Sequence, residues 1–256
     1  MSTAVSILPI TGIGEVVPGA DLGLLLFEAI DNLHLTLQQG DILVVTQKIV
    51  SKAEGRLVKL AEVEPCAFAQ IAAQTSHKDA QYLEMVLRES RRVVRMDRGV
   101  LLTETHHGFI CANAGIDESN VSPDGSEVTL LPLDADRSAG QLRARLQELA
   151  GEGPAFEMAL IISDTWGRPW RNGQVNVAIG SAGIEPLCDY RGQSDPYGYE
   201  LQASVIAVAD ELAAAAELVM GKTARVPVAL IRGYPYTPGT GNARELLRDP
   251  ATDMFR

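Results

Sequence analysis

The residues with the most chemistry in this chain lie in Leu160–Gln174, LIISDTWGRPWRNGQ. An apolar run, Met158 to Ile162, reads as a short buried strand. It ends in Ser163, Asp164 and Thr165, a carboxylate with hydroxyls, and a hard cation takes such oxygen ligands. Arg168 and Arg171 follow, and guanidinium groups suit phosphate or carboxylate oxygens. Gly167, Pro169 and Gly173 predict an irregular loop here, with neither helix nor strand. The expectation is a loop that joins a metal to an anionic substrate, with Asp164 at its catalytic centre.

Three other polar stretches could converge on it. In Cys111–Val121, CANAGIDESNV, Asp117 and Asn120 follow an apolar strand. Two readings stand side by side: an Asx turn satisfied by nearby backbone, or metal ligation and catalysis by Asp117 with Asn120 on a nucleotide. TQKIVSKAEGR places Lys48, Lys52 and Arg56 after a buried run, so that Lys52 is either a solvated strand-end cation or a phosphate contact. Thr11-Gly12-Ile13-Gly14-Glu15 is either an ordinary turn or a glycine loop whose backbone approaches a ligand. Gly221-Lys222-Thr223 is not a phosphate-binding P-loop, because the upstream glycine spacing is missing and the residues follow a helix. His106 and His107 are adjacent, and neighbours in a strand point apart, so they are expected at the surface and not as a metal pair.

The elements that must position these residues read as strands at Val5–Ile10, Asp41–Val50 and Val226–Ile231. A hairpin is predicted over Leu101–Thr105 and Phe109–Ala112. Helices are predicted at Asp21–Leu33, capped by Asp21, and at Cys66–Gln74 and Ala80–Val94. Further helices are predicted at Gln141–Leu149, at alanine-rich Glu200–Met220 and at Arg244–Arg248. Arg88, Arg91, Arg92 and Arg95 then suit the dipole at one helix end. Gly151-Glu152-Gly153-Pro154 marks a break between subdomains of one domain spanning 1–256. Strands and helices do not alternate strictly, which predicts an α+β fold with mixed and antiparallel sheets, not a doubly wound one. A net charge of −11, from 33 acidic and 22 basic residues, argues against a nucleic-acid partner. Three scattered cysteines without a CxxC pair exclude a disulfide scaffold and fit a reducing cytoplasm. No signal-peptide or membrane-spanning pattern stands in the sequence, so a soluble cytoplasmic protein is expected.

Taken together, ILPITGIGEVVPGADL, DILVVTQKIVSKAEGRLV, NAGIDESNV, ISDTWGRPWRNGQ, DYRGQSDPYGYEL, VADELAAAAELVMGK and PVALIRG resemble the coenzyme F420-0:L-glutamate ligase (F420:gamma-glutamyl ligase) family in its stand-alone form. The resemblance runs in consistent order over almost the whole chain. It implies a GTP-dependent ligase that joins L-glutamate to F420-0, first by an amide and then by gamma links. GTP would be split to GDP and phosphate through an acyl phosphate. The resemblance further implies Mg²⁺ or Mn²⁺, a monovalent K⁺, and an intertwined homodimer of two interlocked subdomains. It carries metal ligation onto Asp117, Asp164 and Thr165. Nucleotide contact falls on Ile13, Gly14, Glu15, Val16, Gln47, Lys52 and Asn120. Arg168 and Arg171 are assigned to the substrate's anionic arm on charge alone. Two departures stand out. Archaeal members can carry an acidic metal ligand where this chain has Lys222, and Gln47 stands where relatives often have serine. The competing readings are another metal-dependent nucleotide-using enzyme of phosphohydrolase type, and a non-catalytic deazaflavin-binding protein.

Overall fold

The computed structural model of the chain describes residues 4–76, 78–119, 121, 125–151 and 155–254. Asn120 and residues 152–154 of the predicted break lie outside them. In chain order the first half contains β1 (Ser6–Ile10), α1 (Leu22–Asn32), β2 (Ile42–Thr46), α2 (Gln47–Ala53), β3 (Leu57–Lys59), α3 (Ala67–Ala73), α4 (Ala80–Arg88), β4 (Ser90–Asp97), β5 (Val100–Thr105), β6 (Ile110–Ala112) and β7 (Glu127–Thr129). The second half contains α5 (Ala135–Leu149), β8 (Ala159–Arg168), β9 (Arg171–Ala182), β10 (Cys188–Asp189), β11 (Val205–Ile206), α6 (Val208–Met220) and β12 (Val228–Arg232). The fold is α+β, as expected.

A five-stranded sheet in the order β1-β12-β2-β8-β9 is the frame. Its pairings are antiparallel except for β2 with β8, which run parallel from Ile42↔Ala159 to Thr46↔Ser163. Strand alternation divides its side chains between two cores. Leu43, Val45, Leu160, Ile162, Val228 and Leu230 pack with α1 and α5, whereas Ile42, Val44, Ala159, Ile161, Ala229 and Ile231 pack with α6. Both faces are covered, which is why these strands read as continuous apolar runs. The alanines of α6 are used within the chain, because Ala209, Ala213 and Ala216 lie buried against this sheet. A third core, with Ala69, Leu83, Val86, Leu101, Ile116 and Val128, joins α3 and α4 to β5 and β7. No helix among the described residues is long and apolar enough to cross a membrane.

Several boundaries differ from the sequence reading. The predicted loop after Ser163 is a hairpin, with β8 running on to Arg168 and pairing with β9. Its glycines fit because one lies at a register shift, between Gly167 and Arg168, and Gly173 takes a φ of +85°. The run Asp41–Val50 divides at Thr46 into β2 and α2, since a short stretch of β-branched residues does not distinguish strand from helix. Helix α4 stops at Arg88, and Arg91, Arg92 and Arg95 lie on β4, where Arg92 Nε meets Glu104 at 2.7 Å. The dipole reading of those three therefore fails. Helix α6 begins at Val208 rather than Glu200, because the preceding residues pair as β11 with β10. Helix α5 begins earlier than predicted, where the Asp134 side chain accepts from Arg137 N. The terminal helix is a 3₁₀ turn, Ala243–Leu246, closed by an Asn242–Glu245 capping box.

The third core carries its own pH sensitivity. Glu84 accepts from Cys66 N at 2.9 Å and from Arg88 Nε at 2.8 Å. The Cys66 side chain and backbone, then Arg88, hold its carboxyl down from 4.5 to about 2. A depressed folded pKa stabilises fully above the unfolded value and is lost as pH falls from about 4.5 towards 2. Glu84→Gln is expected to lower the melting temperature at pH 7, with the gap to the parent closing as pH approaches 2. A gap independent of pH in thermal melts would show that this carboxylate carries no such linkage.

Candidate functional site

The parallel pairing of β2 and β8 places two strand ends side by side, and ligands of open sheets gather at such carboxyl ends. From β2 the chain turns directly into α2, which carries Lys48 and Lys52. From β8 come Asp164, Thr165 and Trp166. The segment after β6 supplies Asp117. There Asn113, Ala114 and Gly115 take φ of 51°, 56° and 70°, so three successive left-handed residues reverse the chain before Asp117. Left-handed alanine is strained, and such strain collects at functional positions. Leu131 packs over Gly115, where an added Cβ would lie 2.9 Å from its methyl. The reversal is therefore held by packing.

The Asp117 charge acts on Asp164. Asp164 is partly buried, with Oδ2 accepting from Trp166 Nε1 at 2.7 Å and Oδ1 from Thr165 N at 2.8 Å. Burial raises its pKa to about 6, the Asp117 charge adds to the rise, and Lys222 opposes it. Asp117 forms the Asx turn of the first reading, accepting at Oδ1 from Ser119 N and Oγ, both at 2.8 Å. Its Oδ2 meets Lys48 Nζ at 2.7 Å. Burial pushes its pKa up, but Lys48 and Ser119 together bring it below the ordinary value. The turn and the ligand reading are thus compatible, because the turn aims the carboxylate.

Thr165 turns the other way, as the next residue of a strand must. Its Oγ1 donates to Asn176 Oδ1 at 2.6 Å and accepts from Lys222 Nζ. Asn176 Nδ2 reaches Glu217 Oε2 at 3.0 Å, and Lys222 Nζ lies 3.3 Å from Glu217 Oε1. Sequence reasoning missed Lys48, Asn176 and Glu217 as parts of this arrangement. Glu217 has a legible signal in hindsight: it lies five residues before Lys222 on the helix that ends beside the site.

The nucleotide candidates are placed unevenly. Lys52 is only 6% exposed, and its ammonium pairs with the Glu15 carboxylate, joining loop 13–16 to α2. Ile13 and Val16 anchor that loop in the main core, and Gly14 is exposed. Gln47 is buried, accepting the Ser51 hydroxyl at 2.8 Å, so its side chain turns back along its own helix. Arg168 folds over the hairpin end, with Nη2 donating to Asn172 O at 2.7 Å and Nε buried without a partner. Arg171 is exposed at the same end. Four residues of extended strand separate Arg168 from Asp164, about 13 Å, so the arginines do not crowd the acids. His106 is exposed. The His107 ring stacks on Phe109, which in turn meets Trp166 edge-on at 5.2 Å.

The family model for F420-0:Gamma-glutamyl ligase matches residues 12–233. The chain belongs to that family. All of the acids, lysines and loops described above fall inside the matched span. The chain is similar over nearly its full length to proteins named coenzyme F420:L-glutamate ligase. The relative from Methanothermobacter thermautotrophicus is 44% identical over 255 residues, 98% of this chain and 99% of that protein. The one from Methanopyrus kandleri is 43% identical over 94% of each chain, and that from Methanocaldococcus jannaschii 38% over 86% of each.

Asp117 and Asp164 are the oxygen donors that the expected divalent metal would have to use here. Among the described residues no group of three or more His, Cys, Asp and Glu side chains forms a metal cluster. Two carboxylates are present, however, and the charge of Asp117 helps to raise the pKa of Asp164. Ser163 Oγ beside them is buried without a partner. Mg²⁺ is commonly held by one or two carboxylates with phosphate oxygens and water completing its shell.

Proposed function

We propose that this enzyme joins L-glutamate to coenzyme F420-0 with GTP as the energy source. The observation that carries the reading is the convergence of Asp117 and Asp164 at the parallel strand ends of a chain matched end to end by ligases of that name. In this reading a carboxylate oxygen of F420-0 attacks the γ-phosphorus of GTP, releasing GDP and leaving an acyl phosphate. The amine of L-glutamate then attacks the acyl carbon. Phosphate departs, the amine loses a proton, and an amide remains.

Each residue has a task in that sequence. Asp117 and Asp164 would hold Mg²⁺ or Mn²⁺, which when bound supplies charge neutralisation for the phosphoryl oxygens. Lys48 balances Asp117 in the free enzyme and lies close enough to share its charge with an incoming phosphate. Lys52 and loop 13–16 bind the nucleotide. Arg168 and Arg171, at the far end of the hairpin, meet anionic groups of an extended substrate lying along β8. K⁺ dependence and a homodimer belong to the same reading; the dimer is checked by light scattering.

The test is incubation with F420-0, GTP, Mn²⁺ and L-glutamate, read by mass spectrometry. Products heavier by glutamyl units are expected. Phosphate release from GTP at full rate without F420-0 or glutamate would instead support the phosphohydrolase, and F420-0 binding without turnover the non-catalytic deazaflavin-binding protein. Lys52→Met is expected to raise KM for GTP about 30-fold, the equivalent of about 2 kcal/mol for a lost charge-assisted hydrogen bond, with kcat little changed. An unaltered KM in steady-state kinetics would remove Lys52 from the nucleotide site.

A further inference from the structure

The charge on the α6 side of β8 is arranged differently from that on the Asp117 side. Thr165, Asn176 and Glu217 converge there from β8, β9 and α6, one residue along the strand from Asp164. Without a cation this corner is a hydroxyl, an amide oxygen and a carboxylate, oxygen donors of the sort hard cations take. It does contain a cation. Helix α6 ends at Gly221, whose φ of +60° turns the chain, and the next residue reaches back. The Lys222 ammonium then donates to Thr165 Oγ1 and pairs with Glu217. Thr165 gives its own proton to Asn176, and the buried Asn176 amide nitrogen donates to Glu217, so hydroxyl, amide and carboxylate form one hydrogen-bonded chain. The Glu217 side chain is 25% exposed and that of Lys222 59%, so the corner opens to solvent and an ion has a path to it.

We infer that Lys222 is a tethered cation: its ammonium fills the position beside Thr165 and Glu217 that a metal ion would otherwise take, and confines metal binding to the Asp117 side of Asp164. The inference rests on the reading of Asp117 and Asp164 as the metal-holding pair. A covalently attached charge needs no loading from solution. It cannot be chelated away. The same charge acts on Asp164 and opposes any further cation there.

The experiment counts bound Mn²⁺ on the full chain by electron paramagnetic resonance and calorimetry, with GDP present and a GDP–Mn²⁺ blank subtracted. The parent is expected to bind one ion per chain. Lys222→Glu removes the ammonium, adds a carboxylate beside Glu217, and is expected to bind two. Lys222→Gln keeps a hydrogen-bond donor for Thr165 without the charge, and is expected to tighten Mn²⁺ binding about tenfold. A parent that already binds two ions, or an unchanged count in Lys222→Glu with unchanged affinity in Lys222→Gln, overturns the inference. A parent that binds none overturns the metal reading of Asp117 and Asp164 itself, so the two failures are told apart.

Discussion

Asp164→Asn is expected to lower ligase turnover about 10³-fold, some 4 kcal/mol of transition-state stabilisation, without loss of thermal stability. The two halves of this expectation have one cause. The carboxylate is held where burial and the Asp117 charge both disfavour ionisation, which is why its pKa rises to about 6. Folding therefore works against the charge that a metal requires. The amide removes that conflict; its oxygen can keep the Trp166 indole contact now seen at 2.7 Å, and the acceptor lost to the Thr165 N–H offsets part of the gain. The negative charge is lost with it, so Mn²⁺ binding measured by calorimetry should fall together with turnover. Stability set aside for function is common at active sites. Near-normal turnover in this variant would mean that the metal is held elsewhere.

The largest effect on stability is expected from Asp41→Ala, about 3 kcal/mol in urea denaturation. Asp41 is 1% exposed and grips Arg232 twice, Oδ1 to Nε at 2.8 Å and Oδ2 to Nη2 at 2.7 Å. It also accepts from Gln38 N at 2.8 Å. Arg232 ends β12, between β1 and β2, so this pair fixes the entrance to the strand that feeds the site. Removing the carboxylate leaves a guanidinium that, among the described residues, still donates to Thr36 O alone, and a Gln38 amide without its acceptor. The double replacement Asp41→Leu with Arg232→Met should lose less than the single one, because no unpaired charge remains. A single variant within 0.5 kcal/mol of the parent, the ordinary surface range (about 0.5 kcal/mol), would contradict this account.

The long-range half of the site was more legible than the local half. Asp117 and Asp164 stand out because short acidic side chains after buried runs need a reason, and the structure brings them together. Lys52 stood out for the same reason. Lys48 did not, because a lysine one turn away on the same helix looks like a solvated neighbour until its partner in another segment is known. The Thr165–Asn176–Glu217–Lys222 network was invisible for a similar reason: three elements must pack before its members are neighbours. Glycine and proline misled at Gly167–Gly173, since in a hairpin they mark a bulge and a turn rather than the end of the strand. At Ser90–Asp97 the misreading came from continuing a helical period past Glu89, where no glycine announces the stop, into residues that β5 claims by pairing. The apolar runs of β2, β8 and β12 were legible as buried because both faces are covered, although the stretch after Thr46 that read as strand is α2.

The parallel neighbours β2 and β8 have everything from Gln47 to Met158 between them in sequence, and that excursion contains the third core. Asp164 belongs to the sheet, whereas Asp117 is attached to the excursion through Ile116 in that smaller core and the Asp117–Thr129 bridge. The gap between the two carboxylates is therefore a docking coordinate, set by how one packed body seats on another. A change of a few tenths of an ångström in that seating reaches the acids directly. Substitutions at packing contacts such as Leu131 on Gly115 thus move Asp117 relative to Asp164 in a chain whose acidic side chains are untouched.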